Sequence, residues 1–285
     1  MENLPLLARL AALYPQAKKS TLREMIESKR VLINGAIVRS LKQPLAPGDT
    51  LEVLDAGGVK PTLLAGGLRL IHFDSDIIVV DKPAGQLTAT DAEEKRPTVW
   101  SILREYFRRK NNKNQVHLIH RLDRDASGLL IFARTWDSFR ALKEQFFEHT
   151  ITREYDVIVH GIPKAAKARL ENLLLEDPMT GDVQVTKDLK KGKLAICDYA
   201  VIDTNKAKKL AHLRCTLYTG KKHQIRVQFK AAGHVVCGDP RYGKADEPPN
   251  RLALHASRLA LIHPTSKRKV EFDSPMPPAM AHLFR

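Results

Sequence analysis

Apolar and polar positions alternate with a changing period along the 285 residues, and each change marks an element. Leu22, Met25 and Ile26 recur at helical spacing behind Thr21-x-x-Glu24, a capping box whose side chains satisfy free amides, so a helix is predicted to about Lys29. Val31-Leu32-Ile33 and Ala36-Ile37-Val38 flank Asn34-Gly35, a pair that accepts positive φ at both central turn positions and predicts a hairpin. Pro47-Gly48-Asp49 predicts a turn before a strand over 50–54. From 56 to 67 the chain is glycine-rich and aperiodic, which reads as a linker.

Beyond the linker, apolar runs predict strands over 68–73 and 77–80 around an Asp-Ser-Asp turn. A helix over 98–110 follows, with Val99, Ile102, Leu103 and Tyr106 on one side and Arg104, Arg108 and Arg109 on another. Leu129 to Ala133 is a short apolar run after Ser127-Gly128, which predicts a buried strand reached through a tight turn. Phe139, Leu142 and Phe146 mark an amphipathic helix capped near Thr135; Tyr155, Val157 and Val159 alternate as on a strand. Residues 162–212 form hairpins, with Lys187, Lys190, Lys191 and Lys193 on their surface and no assigned role. A strand ends at Thr219-Gly220, a helix starts near His223, and Gly233 ends it. The whole is an α+β chain with a small module at 1–55, a linker at 56–67 and a large domain at 68–285.

Charge adds a partner to this outline. Forty-seven basic against 32 acidic side chains leave +15, which fits a polyanion such as nucleic acid. Lys18, Lys19 and Arg23 are among eight basic residues, against five acidic, before position 55, and they suit phosphate contact. Cys197, Cys215 and Cys237 form no Cys-x-x-Cys pair, so neither a disulfide framework nor a zinc site is expected. The first residues lack the pattern of a secretory signal, and no run approaches the roughly 20 apolar residues of a membrane span. A cytoplasmic protein without a membrane partner is therefore expected.

Candidate chemistry centres on His120-Arg121-Leu122-Asp123-Arg124-Asp125-Ala126-Ser127-Gly128. It places Asp123 at the mouth of the 129–133 strand, where a rigid sheet can hold a reactive group in reach of substrate. Arg121 and Arg124 should keep its carboxylate charged, which suits a nucleophile or base. Taken alone, the same residues also describe a surface ion pair. Farther along, Lys221, Lys222 and His223 precede a helix start whose free amides favour phosphate. The eleven histidines show no metal-ligand spacing, and no nucleotide-binding glycine loop is present, so neither metal nor cofactor is expected.

His-Arg-Leu-Asp-x-x-x-Ser-Gly-Leu-Leu-x-x-Ala-Arg over 120–134 closely resembles the signature loop of the RluA family of pseudouridine synthases. Lys82-Pro83-Ala84-Gly85, Arg153-Glu154-Tyr155 and Thr219-Gly220-Lys221-Lys222-His223-Gln224-Ile225-Arg226 resemble its other motifs in the same order, and the likeness covers about 68–280. The resemblance implies that Asp123 is the nucleophile, that Arg121 helps displace the target base, and that Tyr155 stacks on that base and later helps remove its proton. It implies an ion pair between Arg226 and Asp123, and a lysine-proline loop supporting the catalytic loop from beneath. It also implies the pseudouridine synthase fold: a mixed, largely antiparallel sheet with flanking helices and a central catalytic cleft. The N-terminal module is similar to the alpha-L RNA-binding motif of a small-subunit ribosomal protein.

Four departures stand out: Arg9-Leu10-Ala11 for the Arg-Leu-Asp opening usual in the alpha-L motif, Ala126 for the usual threonine, Lys221 for arginine, and Gln86-Leu87-Thr88-Ala89-Thr90 in place of a path toward Val-His-Pro. The implied activity is isomerisation of uridine in RNA without a cofactor, by a chain for which a monomer suffices. Large-subunit (23S) ribosomal RNA is the first expected target and transfer RNA the second. A non-catalytic RNA-binding or ribosome-assembly protein would have no use for Asp123, Tyr155 and Arg226 together, and a retaining glycosidase would need a second carboxylate.

Overall fold

The computed structural model describes residues 6–14, 22–23, 25–26, 31–34, 36–38, 40, 43–46, 48–53, 62–89, 96–109, 115–243 and 248–284. They divide into two compact units, one of residues 1–62 with 71–73, the other of 63–70 with 74–285.

In the first unit α1 (Leu6–Leu13) buries Leu6 and Leu10, and β1 (Val31–Ile33) pairs antiparallel with both β2 (Ala36–Ile37) and β3 (Leu51–Val53). Leu22, Met25 and Ile26 join Val31, Ile33, Val38 and Leu45 in its core, as their spacing predicts. The turn between β1 and β2 has Asn34 at φ 51°, and its side chain bridges to the next turn by donating to Asp49 and accepting from the Thr50 amide. Thr21, Glu24 and Gly35, named in the sequence reading, lie outside the described residues, as do Lys18 and Lys19.

In the stretch read as a linker, β4 (Thr62–Leu63) and a 3-10 turn over Ala65–Gly67 are formed, and β5 (Arg69–Phe73) follows. The second unit is built on β6 (Ile77–Lys82), β7 (His117–Leu118), β8 (Ser127–Ala133), β9 (Thr152–His160), β10 (Lys167–Glu176), β11 (Val183–Thr186), β12 (Lys193–Asn205), β13 (Leu210–Leu217), β14 (Leu254–Ile262) and β15 (Lys269–Asp273). Its strand order is β11-β10-β12-β13-β9-β14-β8-β6, with β7 added to β8 and β15 to β14. Pairing is antiparallel except between β14 and β8. The helices are α2 (Val99–Arg109), α3 (Trp136–Phe147), α4 (Gln224–Ala231) and α5 (Pro278–Phe284). No helix among the described residues is long and apolar enough to cross a membrane.

Strands β6 and β8 are covered on both faces, which is why Ile77 to Val80 and Leu129 to Ala133 are continuous apolar runs. Ser127-Gly128 is the first pair of β8 rather than a tight turn before it. A side chain at Gly128 would stand 2.3 Å from the Ala256 carbonyl oxygen, so only glycine lets β14 run alongside. Helix α2 buries Phe107 with Val99, Ile102 and Leu103, while Tyr106 is only half-buried; 107 continues the stripe one step round the turn. Helix α3 is capped by Thr135 as its sequence predicts, the hydroxyl accepting from the Ser138 amide.

Candidate active site

The loop between β7 and β8 carries Asp123, and buried polar groups brace it from below. Lys82 ends β6 fully buried, and its ammonium donates to the carbonyls of Pro83, Gln86 and Arg124 at 2.8–2.9 Å. The Gly85 amide reaches the same Arg124 carbonyl. Burial pushes the Lys82 pKa down to about 7, against the pull of Asp123 and Asp125. Thr88, in the divergent segment, is buried and takes both backbone groups of Leu122: its hydroxyl donates to the carbonyl at 3.0 Å and accepts from the amide at 3.2 Å. The departure at 86–90 thus keeps a hydrogen-bonded brace under the residue before Asp123.

Asp123 opens onto a cleft of about 1570 Å³, beyond the usual range of a small-molecule pocket. Its charged partner comes from α4, where Arg226 Nη1 lies 3.2 Å from Asp123 Oδ2. The carboxylate side chain is 22% exposed and the guanidinium 3%. Arg226 is bound more tightly elsewhere: its Nε and Nη2 fork onto Asp239 at 2.8 and 2.7 Å, and Asp239 has no exposure. Burial works against the guanidinium charge, but Asp239 and then Asp123 raise its pKa overall. Asp239 also accepts the amides of Arg241 and Tyr242, and its pKa is lowered despite burial. The sequence reading misses Asp239; the Gly-Asp-Pro turn at 238–240 was its visible sign.

Arg124 is not a partner of Asp123. It forks onto the adjacent Asp125 at 2.9 and 3.1 Å, a contact that needs no loop rearrangement. Lys222 is engaged by Glu176 at 2.6 Å. Arg121 stands exposed, and it lines the cleft together with Lys221, Lys222 and His223. Arg23 is exposed on the first unit.

Tyr155 also lines the cleft and is almost wholly buried. Burial raises its hydroxyl pKa, Arg153 lowers it and Asp123 raises it again, leaving a net increase. Arg153, the basic member of the Arg153-Glu154-Tyr155 motif, is itself buried; it donates to the carbonyls of Leu217 and Tyr218 and lies over the Phe146 ring. His120 accepts the Ile131 amide proton at Nε2, and burial holds its pKa down at about 3. The loop's histidine is therefore a neutral structural acceptor.

A sequence pattern described as RNA pseudouridylate synthase matches residues 76–231, the span that carries this loop, its brace and Arg226. The chain belongs to the RNA pseudouridylate synthase family. Membership makes it an isomerase that converts uridine to pseudouridine in RNA. An S4 domain pattern matches residues 4–51. Relatives include "Ribosomal large subunit pseudouridine synthase D" of Nitrosomonas europaea, 31% identical over 97% of this chain and 82% of that protein. The protein of the same description from Escherichia coli K12 is 28% identical over 96% and 88%. The fold is shared with human RNA pseudouridylate synthase domain containing 4, at a TM-score of 0.61 and 20% identity over 75% of this chain and 90% of that one. As in that family, the sheet is mixed and largely antiparallel.

Proposed function

We propose that the chain isomerises specific uridines of large-subunit ribosomal RNA, with Asp123 as the nucleophile. The observation that carries this reading is the pairing of a half-buried Asp123 carboxylate with the buried Arg226 at the base of a cleft large enough for an extruded nucleotide and its neighbours. Of the other carboxylates lining the cleft, Asp125 is forked by Arg124 and Glu176 is paired with Lys222. Among the described residues, a glycosidase-like second acid therefore has no free candidate on the walls.

In the proposed reaction an Asp123 oxygen bonds to the ribose C1′ as the bond to uracil N1 breaks, and the electron pair leaves on the uracil. The base turns, C5 bonds to C1′, the carboxylate departs with its electron pair, and the C5 proton is lost while N1 gains one. Arg121 acts as the wedge that fills the vacated stack, and Tyr155 supplies the flat face for the turning base. The raised pKa of the Tyr155 hydroxyl suits stacking better than proton removal. Lys221, Lys222, His223 and Arg124 contact RNA along the cleft, and Lys18, Lys19 and Arg23 do so on the S4 unit.

Ribosomal RNA is favoured as target by the description that several relatives of near-equal length carry. A cytoplasmic monomer is the working form we assign, the compartment following from the ribosomal RNA target. Tritium release from RNA labelled at uracil C5 tests the reading. Release from large-subunit RNA by the wild type, lost in D123N with RNA binding kept, is expected. Undiminished release by D123N overturns the nucleophile; release from transfer RNA alone overturns the target.

A further inference from the structure

His223 caps the start of α4 in the left-handed region, at φ 53°, a conformation that a non-glycine side chain holds only when its surroundings require it. The requirement is visible in Tyr242. The Tyr242 oxygen, nearly buried, accepts the Val183 amide proton at 3.0 Å and lies 2.7 Å from His223 Nδ1. With one position taken by Val183, the hydroxyl proton has, among the described residues, a single acceptor within reach, His223 Nδ1. A proton on Nδ1 would leave the hydroxyl proton buried without a partner, which costs about 1–3 kcal/mol. Nδ1 is therefore the acceptor, and the ring's own proton sits on Nε2.

We propose that Tyr242 fixes His223 as the neutral Nε2–H tautomer, so that the ring offers a hydrogen-bond donor to an oxygen of the target uracil beside Asp123. This rests on the proposed function and deepens it. The ring lines the same cleft as Asp123, and negative charge appears on the uracil when its bond to C1′ breaks. A neutral donor serves there better than a second cation, because Arg226 already pairs with Asp123 and an imidazolium would add a further ion pair that blunts the nucleophile. Burial lowers the His223 pKa; Asp123 opposes this, while Arg226, Lys222 and Arg241 reinforce it. Glu176 and Asp182, which also act on the ring, are occupied by Lys222 and Arg241. Tyr242 serves Arg226 too, whose guanidinium lies 5.0 Å over its ring, so the 239–242 turn orients both groups that face the nucleophile.

Nitrogen-15 NMR of the full-length protein reads the tautomer directly and needs no RNA. The expected spectrum at pH 7 is a single Nε2–H ring for His223, identified by its loss in H223N, and a mixture of forms in Y242F. Asparagine tolerates the left-handed conformation and places its amide near Nδ1, so H223N removes the donor without backbone strain. Its single-turnover rate at saturating RNA should fall about a hundredfold, and H223Q should restore part of the rate. An Nδ1–H ring or an imidazolium at pH 7 overturns the inference. So does wild-type turnover in H223N, and if D123N is inactive in the same assay the proposed function still stands.

Discussion

Arg226 donates two hydrogen bonds to Asp239 and a third to Asp123. A planar guanidinium forked at one edge has its remaining Nη fixed in direction, so Asp239 decides where the charge beside the nucleophile points. Asp239 is itself locked by the amides of Arg241 and Tyr242. Removing its carboxylate leaves a buried cation with one half-exposed partner. D239A should lower unfolding stability by about 3–5 kcal/mol, and D239N by less. Both should slow single turnover, because Arg226 loses its bearing on Asp123. Urea unfolding and rapid-quench tritium release measure the two effects. A D239A protein within about 1 kcal/mol of wild type would show that the fork is dispensable.

Two glycines with positive φ separate crowding from conformational strain. Gly128 has φ 111° and no room, the Ala256 backbone lying 2.3–2.8 Å from where a Cβ would stand. Gly85, at φ 82°, has nothing within 4 Å of that point. G85A should cost roughly 1 kcal/mol from strain alone. G128A must push β14 off β8, and should cost well beyond that or prevent folding. Thermal melts of the two variants decide, and equal costs would mean the parallel pair can part freely.

Lys82 predicts a pH dependence of stability. Its pKa is about 7 when folded against 10.5 for an unburied lysine. Between those values the unfolded chain holds a proton that the folded chain has released. The stability this side chain contributes therefore rises with pH across that window, by at most about 1.4 kcal/mol per pH unit, and is lost as pH falls toward 7. K82M should remove that slope and lower stability across the range, since the backbone carbonyls that Lys82 serves, three for the ammonium and two for the neutral amine, lose their donor. Denaturant melts of both proteins from pH 7 to 10 give the difference curve; a flat one would place the Lys82 pKa near that of an ordinary lysine.

How much of this was legible in the sequence depends on how far the deciding contact lies along the chain. The Thr135 cap and the core stripes of the helices rest on neighbours within one or two turns, and their spacing announces them. Ser127-Gly128 reads locally as a turn, because the strand that demands glycine there arrives with Ala256. Arg124 looks like a partner for Asp123 by position, yet a side chain two bonds' reach from Asp125 closes on that instead. The Arg226–Asp123 pair came from the motif likeness and is present, whereas Asp239, which holds it, has no mark in the spacing of charged residues. Lys82 in the run Ile77 to Lys82 was the most visible anomaly: a lysine at the end of an apolar strand is buried only with partners.

Thr88 offers the sharpest test of the divergent segment, because its one hydroxyl serves both backbone groups of Leu122 in a buried place. Valine has the same shape without the hydroxyl. T88V should therefore leave an amide and a carbonyl unpaired, at about 1–3 kcal/mol, and let the loop that presents Asp123 drift. Serine keeps the hydroxyl and should retain most of the stability. Hydrogen exchange at the Leu122 amide reports the brace directly: exchange should quicken markedly in T88V and little in T88S, and turnover should follow the same order. Unchanged exchange in T88V would mean that Lys82 and Gly85, both bound to the Arg124 carbonyl, hold the loop without help from this segment.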